Sequence, residues 1–191
     1  MTERTLVSAA TRPFRGLVVA NLVLNNWDWK TSNNKIYEID GRRVEELQII
    51  VSEYQRKLSQ IPDETFNAKP LPHKWSKKEV LGHLVDSAQN NLRRFICSQY
   101  ETPPPLIIYQ QDFWVASNRY QTMERHDVIE LWRLMNLQIC AVLKSMPAEN
   151  YSKECNTGGL HTLEWLAEDY VKHLKHHINQ IISGSFDVIY K

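Results

Sequence analysis

Apolar residues return every three or four positions through four separate stretches of this chain, and that rhythm limits the fold more than any other feature. Between 42 and 58 the series is Val44, Leu47, Val51, Tyr54 and Leu58. Between 77 and 100 it is Val80, Leu81, Leu84, Ala88, Leu92 and Phe95. Between 125 and 146 it is Val128, Leu131, Met135, Ile139 and Val142. Such spacing places one apolar stripe along a helix, which must bury it against another element. A fourth helix fits the stretch from Thr162, which can cap it, to about residue 183, where Gly184 is placed to end it. Ser76 and Glu79 have the spacing of a capping box, so the second helix starts at Lys77.

The connections are long. Residues 61–75 and 101–114 carry prolines that break helices, and 147–161 reads as loop. A short helix is expected near Phe113 to Asn118. The pattern predicts an all-α fold, a four-helix bundle with long connections.

With 191 residues and 42% hydrophobic content, the chain can bury one domain core. Its net charge of +1 offers no electrostatic reason to bind nucleic acid or an anionic membrane. No stretch reaches the roughly 18 apolar residues of a membrane span. Cys97, Cys140 and Cys155 are widely spaced and form no CxxC pair, which fits a reducing cytoplasm better than a disulfide framework. Residues 16–24 form a short apolar run behind Arg4, Arg12 and Arg15, without a small-residue cleavage pattern after it. Residues 1–35 read as an extension outside the main domain, a feature that a misassigned start codon also produces. The bundle is expected over 36–191.

The chemistry concentrates in "VKHLKHHINQI", 171–181. His173 and His177 are four apart, so their side chains share one helix face and can converge on one ion. Asp169 and Gln180 fall on roughly the same face, where a carboxylate could hydrogen-bond an imidazole and fix its tautomer. His176 is rotated about 100° from His177 and is expected beside the site or facing solvent. An HxxxH pair alone is a weak signal, and a polar helix face would look the same. Leu174 follows His173, so the HExxH pattern of zinc proteases is absent. His83 stands in the apolar stretch of the second helix. A solitary buried histidine is ordinarily a core residue, but helices of one bundle can face each other across its centre, and bundle metal sites are built that way.

"WSKKEVLGHLVDS" (75–87), followed about ninety residues later by "HLKHHINQI" (173–181), resembles the DinB/YfiT superfamily of metal-dependent four-helix bundles. "YQQDFW" (109–114) and "GGLHTLEWL" (158–166) resemble further stretches of its YfiT-like branch, which includes bacillithiol S-transferases. The likeness covers roughly residues 40–183. It implies that His83, His173 and His177 bind a metal. Gln180 departs from the pattern, since that branch often has another histidine there.

Three neutral imidazoles leave a divalent ion with open coordination positions, the arrangement of a catalytic site, and imidazole suits zinc or nickel. An open position can acidify water or a thiol. The leading expectation is transfer of a low-molecular-weight thiol to an electrophile. Hydrolysis of a small amide or ester, and a non-catalytic, stress-associated metal-binding bundle, are the alternatives. Asp86 and Asp169 are candidate catalytic carboxylates, and Asp112 with Trp114 is expected at the mouth of the substrate pocket. Bundles of this size often pair through an exposed apolar helix face, so a homodimer is expected.

Overall fold

The structure is a computed structural model that describes residues 34–190. The extension expected over 1–35 falls almost wholly outside them. The described elements are α1 (Asn34–Ser59), α2 (Asp63–Asn67), α3 (Lys77–Cys97), α4 (Gln111–Asn118), α5 (Arg125–Ser145), β1 (Glu154–Asn156), β2 (Leu160–Thr162) and α6 (Leu163–Ile181). Two 3-10 turns, Tyr120–Thr122 and Ala148–Ser152, lie in the connections. The four long helices make the bundle. α5 lies against both α1 and α3, and α6 packs on α3 and on α1.

α3 and α6 form where periodicity and caps agree. At α3, Ser76 N–H donates to Glu79 Oε2 at 2.8 Å and Glu79 N–H donates to Ser76 Oγ at 3.1 Å, the predicted capping box. At α6, Thr162 Oγ1 accepts the N–H of Trp165 at 3.1 Å. The chain leaves α6 at Ile181 and turns at Gly184, whose φ of 75° favours glycine. The core joins Leu47, Val51, Tyr54 and Leu58 of α1 to Leu81, Leu84, Ala88 and Phe95 of α3, with Leu166, Tyr170, Leu174 and Ile178 of α6.

α5 is rotated from the predicted stripe. Val128 and Ile139 are buried as expected, but Trp132, Asn136 and Leu143 take the central positions. Leu131, Met135 and Val142 lie on the flank, partly buried. The cause is a polar residue at the centre: Asn136 Oδ1 accepts the Tyr170 hydroxyl at 2.7 Å, and its Nδ2 donates to the Trp132 carbonyl at 2.7 Å. With both functions paired, an asparagine can sit in a core.

The stretch read as loop, 147–161, is more ordered than predicted. β1 and β2 pair antiparallel with Cys155 opposite His161. The turn between them needs glycine, because Gly158 has φ 103°. Ile107 N–H donates to the Asn156 carbonyl at 3.1 Å, which ties the 101–110 connection to the hairpin. Among the described residues no helix is long and apolar enough to cross a membrane.

Candidate metal centre

α3 and α6 place His83, His173 and His177 together, with one nitrogen from each lying within 4.8 Å of the others. His83 Nε2 and His173 Nε2 are 3.3 Å apart. The three rings meet edge to face, with centroids 4.4 to 5.2 Å apart. His83 is buried at 1% exposure, while His173 and His177 are partly buried.

All three imidazoles are held neutral. Burial lowers the His83 pKa to about 3, with the neighbouring His177 adding to the effect. Burial, then His177 and His83, push His173 well below the ordinary histidine range. His177 is lowered too, mainly by burial. Neutral imidazole is the form that binds metal.

A neighbour sets the tautomer of His177. His177 Nδ1 lies 3.0 Å from Gln180 Oε1, an acceptor, so Nδ1 carries the proton and Nε2 keeps its lone pair. The Gln180 amide in turn donates to His176 Nε2 at 3.0 Å, which places His176 at the edge of the site. His173 Nδ1 is 3.4 Å from Ser87 Oγ. Asn91 Nδ2 donates to the same Oγ at 3.2 Å, and Arg94 Nη1 donates to Asn91 Oδ1 at 3.0 Å. Arg94 Nε donates to the Ile107 carbonyl at 3.0 Å, so this network runs from His173 to the 101–110 connection.

These residues fit a metal ion. Nitrogen ligands at about 2.05 Å around a tetrahedral ion stand about 3.3 Å from each other. The His83–His173 separation has that value. With Nε2 turned to the site, His83 has Nδ1 buried without a hydrogen-bond partner among the described residues.

The four other candidate residues are placed differently from one another. Asp86 is fully buried and its Oδ1 accepts from Tyr120 Oη at 2.7 Å and Asn118 Nδ2 at 2.8 Å. Its Oδ2 has no partner among the described residues. Burial raises the Asp86 pKa to about 6 against the opposing effect of the two donors. Asp169 accepts from the Tyr190 hydroxyl at 3.2 Å, and burial raises its pKa. The hydrogen bond expected between a carboxylate and a ligand imidazole is made instead by Ser87 and Gln180. Asp112 lines a cleft of about 1010 Å³ that also includes His177, Gln180, Trp75, Lys74 and Lys77. Trp114 packs on Tyr109, with ring centroids 5.5 Å apart, and Tyr109 faces His83 at 6.4 Å.

Sequence reasoning assigned no role to Ser87, Tyr109 or Tyr190. Ser87 lies one turn beyond His83 on α3, a signal that could have found it. Tyr190 follows α6 in a stretch without periodicity, and nothing in the sequence places it near His173.

Residues 49–181 match the profile of the DinB superfamily. The chain belongs to the DinB superfamily. It is similar to the Bacillus subtilis (strain 168) protein named "Putative metal-dependent hydrolase YfiT", with 26% identity over 110 residues, 56% of this chain. The match spans 62% of that relative's length. The solved structure of YfiT from Bacillus subtilis, described as having an unusual four-helix bundle topology, superposes with a TM-score of 0.68 at 22% identity. That match covers 80% of this chain and 87% of the other. The DinB fold is therefore shared, and its helix arrangement is what brings α3 and α6 face to face.

Proposed function

We propose that the chain is a metal-dependent enzyme in which His83, His173 and His177 hold one divalent ion, zinc or nickel, and a small substrate reaches it from the cleft beside His177. The observation that carries this reading is the 3.3 Å approach of the Nε2 atoms of buried His83 and partly buried His173, with a third imidazole within reach. A divalent ion with three protein ligands has open positions and supplies the acidity that deprotonates a thiol or water at neutral pH.

The chain's own groups do the rest. Ser87 and Gln180 hold His173 and His177 with Nε2 available. The Trp75 ring, 5.1 Å from that of His83, covers the buried ligand and excludes water. Asp86, three residues after His83 on α3, and Asp169, four residues before His173 on α6, are our candidates for the base that takes up the nucleophile's proton, and burial raises the pKa of both. Asp112, Lys74 and Lys77 present charge to a polar substrate in the cleft.

The nucleophile we favour is a low-molecular-weight thiol, transferred to an electrophile, as the likeness to the bacillithiol S-transferase branch implies. Hydrolysis of a small amide or ester is the second reading, supported by the name of the Bacillus subtilis relative. The test is turnover of a monochlorobimane-type electrophile and of a panel of small esters and amides, each with and without thiol and chelator. Thiol-dependent, chelator-sensitive conjugation supports transfer. Thiol-independent, chelator-sensitive cleavage supports hydrolysis. Bound metal without turnover leaves a non-catalytic bundle, and chelator-insensitive turnover overturns the metal-dependent reading.

A further inference from the structure

We propose that Tyr190, from the segment that follows α6, is a positioning residue of the metal centre: its ring fixes the orientation of the His173 imidazole and covers that side of the three histidines. The proposal rests on the reading of those histidines as ligands.

The segment is anchored before it reaches the site. Past Gly184, Phe186 N–H donates to Asn179 Oδ1 at 2.8 Å, and the Phe186 carbonyl accepts from Asn179 Nδ2 at 2.8 Å. This reciprocal pair holds the backbone as a strand partner would. The Phe186 ring packs 5.0 Å from that of Tyr54, and Lys175 Nζ stands 5.7 Å from its centroid. Four residues later, the Tyr190 hydroxyl donates to Asp169 Oδ2 at 3.2 Å. Its ring lies 5.4 Å from His173, edge to face at 67°, and 5.6 Å from His176. Asp169, His173 and His176 are at i, i+4 and i+7 on one face of α6, and Tyr190 lies along that face for two turns.

The consequence is geometric. An imidazole that turns about its Cβ–Cγ bond swings Nε2 away from the ion. Ser87 restrains His173 through a single contact at 3.4 Å. The Tyr190 ring supplies a second restraint from another direction, and it is itself held at both ends, by Asp169 and by the Phe186 anchor. Residues that orient a ligand imidazole contribute to metal affinity without touching the ion.

The test uses the full chain with Tyr190→Ala, Tyr190→Phe and, as a control, Ile189→Ala, a neighbour that is 83% exposed. Two readouts separate the proposal from the function it rests on. In metal-free protein labelled at histidine, the NMR resonances of the His173 ring report the Tyr190 contact directly. In cobalt-loaded protein, the visible spectrum and the rate of chelator-driven release report the ligand set. Tyr190→Ala is expected to shift the His173 resonances, alter the cobalt spectrum and speed release by about tenfold. Tyr190→Phe keeps the ring and the Phe186 anchor but loses the hydrogen bond to Asp169, so its release rate is expected between those of wild type and Tyr190→Ala, while Ile189→Ala stays within about twofold of wild type. Unchanged His173 resonances in Tyr190→Ala overturn the placement. Shifted resonances with an unchanged release rate overturn the positioning role. If the wild type takes up no cobalt, the metal reading fails by itself, the positioning role falls with it, and the resonances decide the contact alone.

Discussion

His83 Nε2 and His173 Nε2 face each other at 3.3 Å although 90 positions separate them in the chain. On the proposed metal reading, substituting either with alanine removes a ligand from the centre. We expect His83→Ala and His173→Ala each to abolish stoichiometric metal in elemental analysis of purified protein. Retention of one ion per chain in both variants would falsify the assignment of the centre.

Gln180 Oε1 meets His177 at Nδ1, and the Ser87 hydroxyl lies against His173 Nδ1. Removing such a partner typically weakens metal binding by about 10- to 100-fold. Gln180→Ala and Ser87→Ala are expected to fall in that range in a competition titration against a chromogenic chelator. Wild-type affinity in both would show that tautomer control lies elsewhere.

Asp86 gives a pH dependence of defined sign. Its folded pKa, about 6, is above the ordinary 3.8, so between these values the folded chain holds a proton that the unfolded chain has released. Stability from this group is therefore present below pH 3.8 and is lost as pH rises towards 6, by about 3 kcal/mol at most. Asp86→Asn keeps an oxygen for Tyr120 and Asn118 and removes the buried charge. Urea denaturation should show the variant gaining on wild type between pH 4 and pH 7. The difference between the two proteins isolates Asp86 from the histidines, whose lowered pKa values act in the opposite direction. A gap that does not widen with pH contradicts the raised value.

Gly82 lets the Tyr120 ring lie on α3. A β-carbon there would stand 2.1 Å from Tyr120 Cδ2 and 2.2 Å from Cγ. Gly82→Ala must displace the ring and with it the hydroxyl that donates to Asp86. Overpacking of this kind costs about 1–3 kcal/mol, and loss of the hydrogen bond adds about 1 kcal/mol. The expected loss of about 2–4 kcal/mol is read from chemical denaturation, and a loss below about 1 kcal/mol would mean that the turn holding Tyr120 yields easily.

The bundle was legible because its helices advertise themselves locally. The capping box of Ser76 and Glu79 and the stripe of α1 depend on neighbours within a turn or two, so spacing suffices to find them. The histidine pair of α6 is legible for the same reason, and His83 becomes a candidate once two helices are allowed to face each other. Other features depend on tertiary placement. The rotation of α5 follows from Asn136, whose burial makes sense only beside Tyr170 on α6. β1 and β2 are three residues each and exist as a pair, so neither has a period of its own to read. The partnership of Ser87 with His173 depends on how far α3 is offset along α6, which periodicity does not encode.

The long separation between His83 and His173 has a thermodynamic side. An ion gripping both would clasp the ends of a loop of about ninety residues that includes α4, α5 and the hairpin. Binding that favours the folded chain adds about 4 kcal/mol when free metal stands a thousandfold above its dissociation constant. Metal starvation would then loosen the architecture as well as silence the chemistry, and the protein's lifetime in a cell would track its metal supply.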